Sequence, residues 1–192
     1  MSDACIQINT NPNPAQERGA RGPYMLYFSL TFFEGSYPSL LETPRKYTLV
    51  AAAAEGPTRL NAFDNALLEA GIGNVNLLRV SSILPPGAQQ VDELKIPPGS
   101  LVPTAYGAIE SEITGEMIAA AIGVGIGEDG DYGVIMEFSG RCTRQDAEAE
   151  IRRMVEAAFE HRGRALREVQ IKSVDHRVER MGCAFAAAAL WY

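Results

Sequence analysis

The stretch that decides the fold is LNAFDNALLEAGIGNVNLLRVSSILPPG, residues 60–87. Its first half predicts a short helix, because Phe63 and Leu67 lie four residues apart and therefore share one helix face. Asn61 can cap the start of this helix, and Gly71 suits the left-handed position that follows a helix end. The first half thus predicts an amphipathic helix followed by a turn.

The second half of the stretch carries two adjacent hydroxyls in an apolar setting. VNLLRVSSIL predicts a strand, and the Pro-Pro-Gly that follows predicts the turn that ends it. Ser81 and Ser82 lie between Val80 and Ile83. The ordinary explanation is a strand end, with one serine facing solvent and the other satisfying the turn. The chemical explanation is that the Ser81–Ser82 peptide bond cleaves itself.

Self-cleavage at a serine has a defined chemistry. The hydroxyl attacks the carbonyl of the preceding residue and converts the amide into an ester. Loss of the α-proton expels the carboxylate and leaves dehydroalanine, whose hydrolysis releases ammonia and leaves a pyruvoyl group on the new N-terminus. That ketone is an electron sink, as pyridoxal phosphate is. Serine pairs are common in turns, so Ser81 and Ser82 alone leave both explanations open.

Outside this stretch the sequence alternates between apolar runs and turn signals. The strand-like segments are YTLVAAAAEG, LVPTAYGAIES, MIAAAIGVGIG, YGVIMEFSG, EVQIKSVDHRVE and GCAFAAAALWY. The clearest helix begins after Thr143, which can form a capping box with Asp146, and ends at Gly163. Two amphipathic helices among about seven strands predict a single α/β domain of the α+β type, a layered sandwich with mixed or antiparallel sheets.

Composition narrows the class of protein. The chain has 192 residues and a formal net charge of −7. A nucleic-acid surface needs clustered Lys and Arg, so the charge argues against nucleic acid and is compatible with a cationic small molecule. Three cysteines without paired spacing predict reduced thiols and a cytoplasmic protein. The apolar runs are too short to span a bilayer and the N-terminus has no secretory pattern, so no membrane association is expected.

The usual cofactor motifs give no signal. No group of His, Cys or Asp has metal-ligand spacing, so no metal is expected. The glycine-rich segments GIGNVN and GVGIGEDG do not open a helix as G-x-G-x-x-G does. Lys46, Lys95 and Lys172 lack the dry surroundings that a Schiff-base lysine needs, so pyridoxal phosphate is not expected either.

The run through the serine pair, followed by LVPTAYG, GVIMEFSG and the terminal GCAFAAAALWY, resembles the pyruvoyl-dependent arginine decarboxylase family over about residues 45–192. The resemblance implies a four-layer αββα sandwich and self-cleavage after Ser81, into a β chain of residues 1–81 and an α chain of residues 82–192. It implies a covalent pyruvoyl group derived from Ser82. Residues 1–44 match nothing in the family, and we expect a partly disordered extension there.

The resemblance also implies what the protein does. The reaction would be conversion of L-arginine to agmatine and carbon dioxide, which feeds polyamine synthesis. The αβ units would assemble as homotrimers, or as dimers of trimers, with active sites between subunits. The ketone carbon made from Ser82 would take the substrate α-amine. Glu137 in GVIMEFSG matches the family's proton donor, and its apolar neighbours favour a partly buried general acid.

Four further positions carry expected roles from the resemblance. Asp64 in LNAFD matches the residue that pairs with the substrate guanidinium, a group that a carboxylate binds through two parallel hydrogen bonds. Asn76 in GIGNVN matches an active-site asparagine. It lies six residues before Ser82, about 20 Å along a straight strand, so either the chain bends or Asn76 serves a neighbouring subunit. Leu60 is expected to line the pocket, and the backbone at Ile83 to orient the ketone.

Two alternatives remain open from the sequence. The first keeps the pyruvoyl chemistry but changes the substrate to another amino acid or an adenosylated one, because a pyruvoyl group does not select a side chain. Asp64 favours a cationic end group. The second alternative is an unprocessed trimer that binds a small cationic metabolite.

Overall fold

The structure, a computed structural model, describes residues 42–128 and 130–192. Residues 1–41, most of the predicted extension, lie outside the described residues. The helices are α1 (Arg59–Glu69) and α2 (Arg144–His161). The strands are β1 (Lys46–Glu55), β2 (Asn76–Arg79), β3 (Ile83–Leu84), β4 (Gln89–Gln90), β5 (Leu101–Ser111), β6 (Met117–Ile126), β7 (Gly133–Gly140), β8 (Glu168–Arg177) and β9 (Gly182–Trp191).

The strands form two sheets. Within the described residues, sheet A has five strands in the order β2-β5-β9-β1-β4, and sheet B has four strands in the order β3-β7-β6-β8. Sheet B is antiparallel throughout, whereas sheet A also contains the parallel pairs β2–β5 and β1–β4. The prediction of mixed and antiparallel sheets is therefore confirmed.

The two sheets pack face to face and each carries one helix on its outer face. The core between the sheets includes Ile122 and Ile135 of sheet B and Ala186 of sheet A. A second cluster lies between α1 and sheet A, and a third between α2 and sheet B. The order of layers is α1, sheet A, sheet B, α2. The αββα sandwich is confirmed.

The alanine-rich β9 occupies the centre of sheet A because it is buried on both faces. Phe185 and Ala187 pack towards α1, and the alternate residues Ala186 and Ala188 pack towards sheet B. Small side chains let both neighbouring layers approach closely. The expectation of a buried terminal strand is therefore confirmed.

The helix ends follow capping rules, with one correction. Thr58, and not Asn61, caps α1: its hydroxyl accepts the backbone N–H of Asn61, which already lies inside the helix. Gly71 after α1 adopts the positive φ that was expected. In α2, Thr143 and Asp146 form the predicted capping box.

The predicted strand VNLLRVSSIL is in fact two strands in different sheets. β2 ends at Arg79 on the edge of sheet A, and β3 begins at Ile83 on the edge of sheet B. The three residues between them carry the chain from one sheet to the other. No helix in the described part of the chain is long and apolar enough to cross a membrane.

Candidate active site

The serine pair lies where the chain crosses between the two sheets. The N–H of Val80 still donates to the carbonyl of Thr104 in sheet A, at 3.2 Å. The carbonyl of Ser82 already accepts the N–H of Ile135 in sheet B, at 2.7 Å. The Ser81–Ser82 bond therefore spans the gap between two hydrogen-bonded segments that belong to different sheets.

The segment after Ser82 is fixed on β7. Ile83 pairs with Val134 and Leu84 with Gly133 in antiparallel register. Leu84 is buried in the core between the sheets, whereas Ile83 remains 45% exposed. The backbone at Ser82 and Ile83 is thus held by β7.

Glu137 projects from the same strand that holds Ser82. Ile135, two residues earlier on β7, faces the core between the sheets, whereas Met136 faces α2. Because side chains alternate along a strand, Glu137 shares the inward face with Ile135. Its side chain is 27% exposed and sits across from Ile122 of β6. A carboxyl at the rim of the inter-sheet core agrees with the expected partial burial.

Arg79, which the sequence did not single out, is the charged neighbour of Glu137. Its guanidinium lies 3.7 Å from the carboxylate of Glu137. It also lies over the ring of Tyr106, 4.4 Å from the ring centroid, and donates to the Tyr106 carbonyl at 3.0 Å. The only hint in the sequence was a cation three residues before Ser82 at the end of an apolar run.

The two sheets approach each other closely beside this pair. An added Cβ at Gly107 of β5 would lie 2.9 Å from the carbonyl oxygen of Phe138 in β7, so only glycine fits without a shift of backbone. The hydroxyl of Ser139 donates to the carbonyl of Ala108 at 3.0 Å. These contacts fix β7, and with it Glu137, against β5.

Asp64 and Leu60 lie on another face of the protein. Both belong to α1, which covers the outer side of sheet A. Asp64 is exposed and Leu60 is 76% exposed, whereas Ala62 and Ala66 of the same helix are buried. α1 is connected to Glu137 only indirectly: Phe63 of α1 packs on Tyr106, and the Arg79 guanidinium over that ring contacts the Glu137 carboxylate. Within the described residues, neither Asp64 nor Leu60 forms a hydrogen bond or an ion pair with Glu137.

Asn76 lies at the opposite end of β2 from the serine pair. It pairs with Leu101, whereas Arg79 at the other end of β2 pairs with Thr104. Its side-chain amide donates to the carbonyl of Gly99 at 2.8 Å. The residues from Asn76 to Arg79 form a regular strand, so the chain does not bend to bring Asn76 to Ser82.

A cavity of about 660 Å³ opens elsewhere, at the far end of sheet A. Glu55, Asn65, Glu112 and Arg180 contribute to its lining, and none of the predicted site residues does. Burial disfavours the charged form of Glu55, but hydrogen bonds from the backbone N–H groups of residues 179–181 and from His176 outweigh it and lower its pKa to about 2. The Glu55 carboxylate therefore stabilises the turn between β8 and β9.

Cys183 of β9 is poorly suited to act as a nucleophile. Burial raises the pKa of the Cys183 thiol to about 12, which disfavours the thiolate needed for attack. Among residues 42–128 and 130–192, no three His, Cys, Asp or Glu side chains are grouped so that they could hold a metal ion.

Comparison with known proteins identifies the family of this chain. Residues 46–192 match the family model described as pyruvoyl-dependent arginine decarboxylase. The chain is 55% identical over 150 residues to the pyruvoyl-dependent arginine decarboxylase of Methanocaldococcus jannaschii, covering 78% of this chain and 91% of that one. It is 47% identical over 152 residues to that of Pyrococcus abyssi, covering 78% and 96%, and 48% identical over 155 residues to that of Methanococcus maripaludis, covering 80% and 94%. The chain belongs to the pyruvoyl-dependent arginine decarboxylase family.

Proposed function

We propose that this protein cleaves itself between Ser81 and Ser82 and then decarboxylates L-arginine to agmatine and carbon dioxide, a product that feeds polyamine synthesis. The observation that carries the proposal is the position of the serine pair. The Ser81–Ser82 bond crosses between two sheets, and the strand that holds Ser82 also carries the partly buried Glu137. A serine pair in an ordinary turn requires neither a crossing between sheets nor a partly buried carboxyl on the neighbouring strand.

The residues around Ser82 suit a covalent pyruvoyl group. After cleavage the carbonyl of Ser82 remains as the amide carbonyl next to the ketone, so the N–H of Ile135 can continue to hold it. β3 pairing through Ile83 fixes the chain that follows. When present, the ketone would supply the electron sink for the pair released as carbon dioxide leaves. The pairing of β3 with β7 can therefore remain the same before and after cleavage.

The side chains then divide the remaining tasks. Glu137 delivers the proton that replaces the lost carboxylate at the substrate α-carbon, a task for a carboxyl held within hydrogen-bond reach. Asp64 binds the guanidinium of the substrate, Leu60 contacts its aliphatic part, and Asn76 contributes a polar contact. The selection of arginine over other amino acids rests on Asp64, because a carboxylate matches the two-pronged guanidinium.

We propose that the site is completed between subunits of a homotrimer. The support is the separation of the predicted residues in one chain: Glu137 faces the inter-sheet core, Asp64 is exposed on the outer helix, and Asn76 lies at the other end of β2. Exposed apolar side chains of Leu60, Leu78 and Leu101 suit a surface that is covered on assembly. A second subunit can supply Asp64, Leu60 and Asn76 to the Ser82 of the first.

The test is turnover by the purified full-length protein. L-Arginine, citrulline, ornithine and S-adenosylmethionine are offered separately, and amine product and carbon dioxide are measured beside the fraction of chain that is cleaved. We expect agmatine from the cleaved protein and none from Ser82→Ala. Faster turnover of citrulline or of the adenosylated substrate would contradict the choice of arginine. Cleaved protein without turnover of any of these substrates would contradict the proposed function.

A further inference from the structure

We infer that Arg79 is a positioning residue for Glu137, holding its carboxylate towards the point where the chain crosses at Ser81 and Ser82. The inference rests on the proposed function, since it assigns Arg79 to the proton donor of that reaction. Two facts lead to it: the guanidinium lies 3.7 Å from the Glu137 carboxylate, and the guanidinium is itself held in place by other groups.

The groups that hold Arg79 form a rigid platform. The Tyr106 ring beneath the guanidinium packs in a cluster of three aromatic rings with Phe63 and Phe185, whose centroids lie 5.6 to 6.3 Å apart. Phe185 is fully buried on β9. The Arg79 guanidinium therefore stacks on a fixed ring and donates to a backbone carbonyl. These two contacts fix its orientation relative to the Glu137 carboxylate.

The pair spans the same gap as the cleavage site. Arg79 is the last residue of β2 in sheet A, and Glu137 lies on β7 in sheet B. Cleavage after Ser81 would leave Arg79 on one chain and Glu137 on the other. The ion pair would then join the two chains beside the new N-terminus at Ser82, with Arg79 of the β chain orienting the Glu137 carboxylate of the α chain.

A purely structural ion pair predicts a different outcome. The Arg79 side chain is 58% exposed, and exposed ion pairs contribute little to stability. Arg144 provides a matched control, because its side chain is 56% exposed and lies 3.7 Å from Glu148, on α2 and away from the serine pair. Were both pairs only surface contacts, the loss of either arginine would have the same small effect.

The experiment compares Arg79→Met, Arg79→Lys and Arg144→Met, with kcat and KM for L-arginine measured per cleaved chain. We expect Arg79→Met to lower kcat about tenfold with KM changed less than about threefold, and Arg144→Met to match the parent. Lysine keeps the charge but loses the fork and the stacking geometry, so Arg79→Lys should recover part of kcat. Equal kcat for Arg79→Met and Arg144→Met overturns the inference. A parent protein without turnover overturns the proposed function instead.

A double-mutant cycle decides whether Arg79 acts through Glu137. If it does, Arg79→Met adds little further loss when Glu137 is already glutamine. Additive losses in the double variant overturn the inference, because they assign Arg79 an independent role. Should Arg79→Met remain uncleaved, the cycle is run with Arg79→Lys, and the same two outcomes decide it.

Discussion

Val80 and Ser82 are only two residues apart, yet they are hydrogen-bonded to different sheets. Val80 donates to Thr104 of β5 and Ser82 accepts from Ile135 of β7. The residue between them, Ser81, is exposed and contributes the carbonyl that a Ser82 hydroxyl would attack. Both flanks of the bond are anchored, so its two ends can be held in place before and after a cut.

We predict that the purified protein consists of two chains and that Ser82→Ala consists of one. The Ser82 hydroxyl is the attacking group, and alanine has none. Ser81→Ala is the matched control: Ser81 supplies only its carbonyl, so this variant should still cleave. Intact mass should show an α chain one ammonia lighter than a fragment that begins with a plain Ser82. Cleavage of Ser82→Ala, or an uncut parent after long incubation at neutral pH, would contradict the mechanism.

We predict that Glu137→Gln separates cleavage from turnover. The acyl shift needs the Ser82 hydroxyl and a held amide, whereas replacement of the lost carboxylate needs a proton donor. Turnover per cleaved chain should fall by roughly 10²–10⁴-fold, the usual contribution of a positioned acid. Cleavage, followed by intact mass, should persist. Near-parental turnover of arginine would mean that another group donates the proton.

We predict that Asp64→Asn weakens the preference for arginine. Asparagine keeps the shape and removes the charge, and loss of a partly desolvated carboxylate–guanidinium pair should weaken arginine binding by about 2–5 kcal/mol. Glu69→Gln is the control, since Glu69 is an exposed carboxylate at the end of the same helix. The ratio of kcat/KM for arginine over citrulline measures the effect. An unchanged ratio in Asp64→Asn would assign guanidinium recognition to another carboxylate.

We predict that two impaired variants, Asp64→Asn and Glu137→Gln, restore activity when their subunits are mixed. Asp64→Asn and Glu137→Gln would damage opposite sides of a site shared between subunits, so a mixed trimer contains one site with both native residues. Co-expression with two different tags and purification through both should recover turnover well above that of either variant alone. If each chain formed its whole site, mixed oligomers would stay at the mean of the two variants.

We predict that Glu55 stabilises the fold at neutral pH and loses this effect in acid. Its pKa is lowered from 4.5 to about 2, so the folded state holds the charged form more tightly than the unfolded chain does. The contribution, on the order of 3 kcal/mol, is fully present above pH 4.5 and is lost as pH falls through 2. Chemical unfolding of Ser82→Ala with and without Glu55→Gln measures it on a single uncut chain. Glu150→Gln is the control, and a difference that is undiminished between pH 7 and pH 2.5 would contradict the assignment.

Where the pattern was local, the sequence by itself determined the structure. The spacing of apolar residues, the box between Thr143 and Asp146 and the glycine after α1 fixed where both helices begin or end to within a few residues. The apolar runs of β6 and β7 and the alternation in β8 predicted three of the strands of sheet B. These features depend on residues only a few positions apart in the chain, so the sequence pattern alone predicts them. The serine pair and Glu137 were also visible, through the runs that surround them.

The tertiary structure alone decided how these parts meet. VNLLRVSSIL has one continuous pattern, but its two halves pair with different strands, β5 and β7. The partner of an edge strand is decided by how the sheets pack and not by the pattern of the strand itself. The pairing of Arg79 with Glu137 joins residues far apart in the chain, and no local signal marked it. The separation of Asp64 and Asn76 from Ser82 likewise follows from the order of layers and strands. Such relationships are set by the burial of whole faces, which depends on every layer at once.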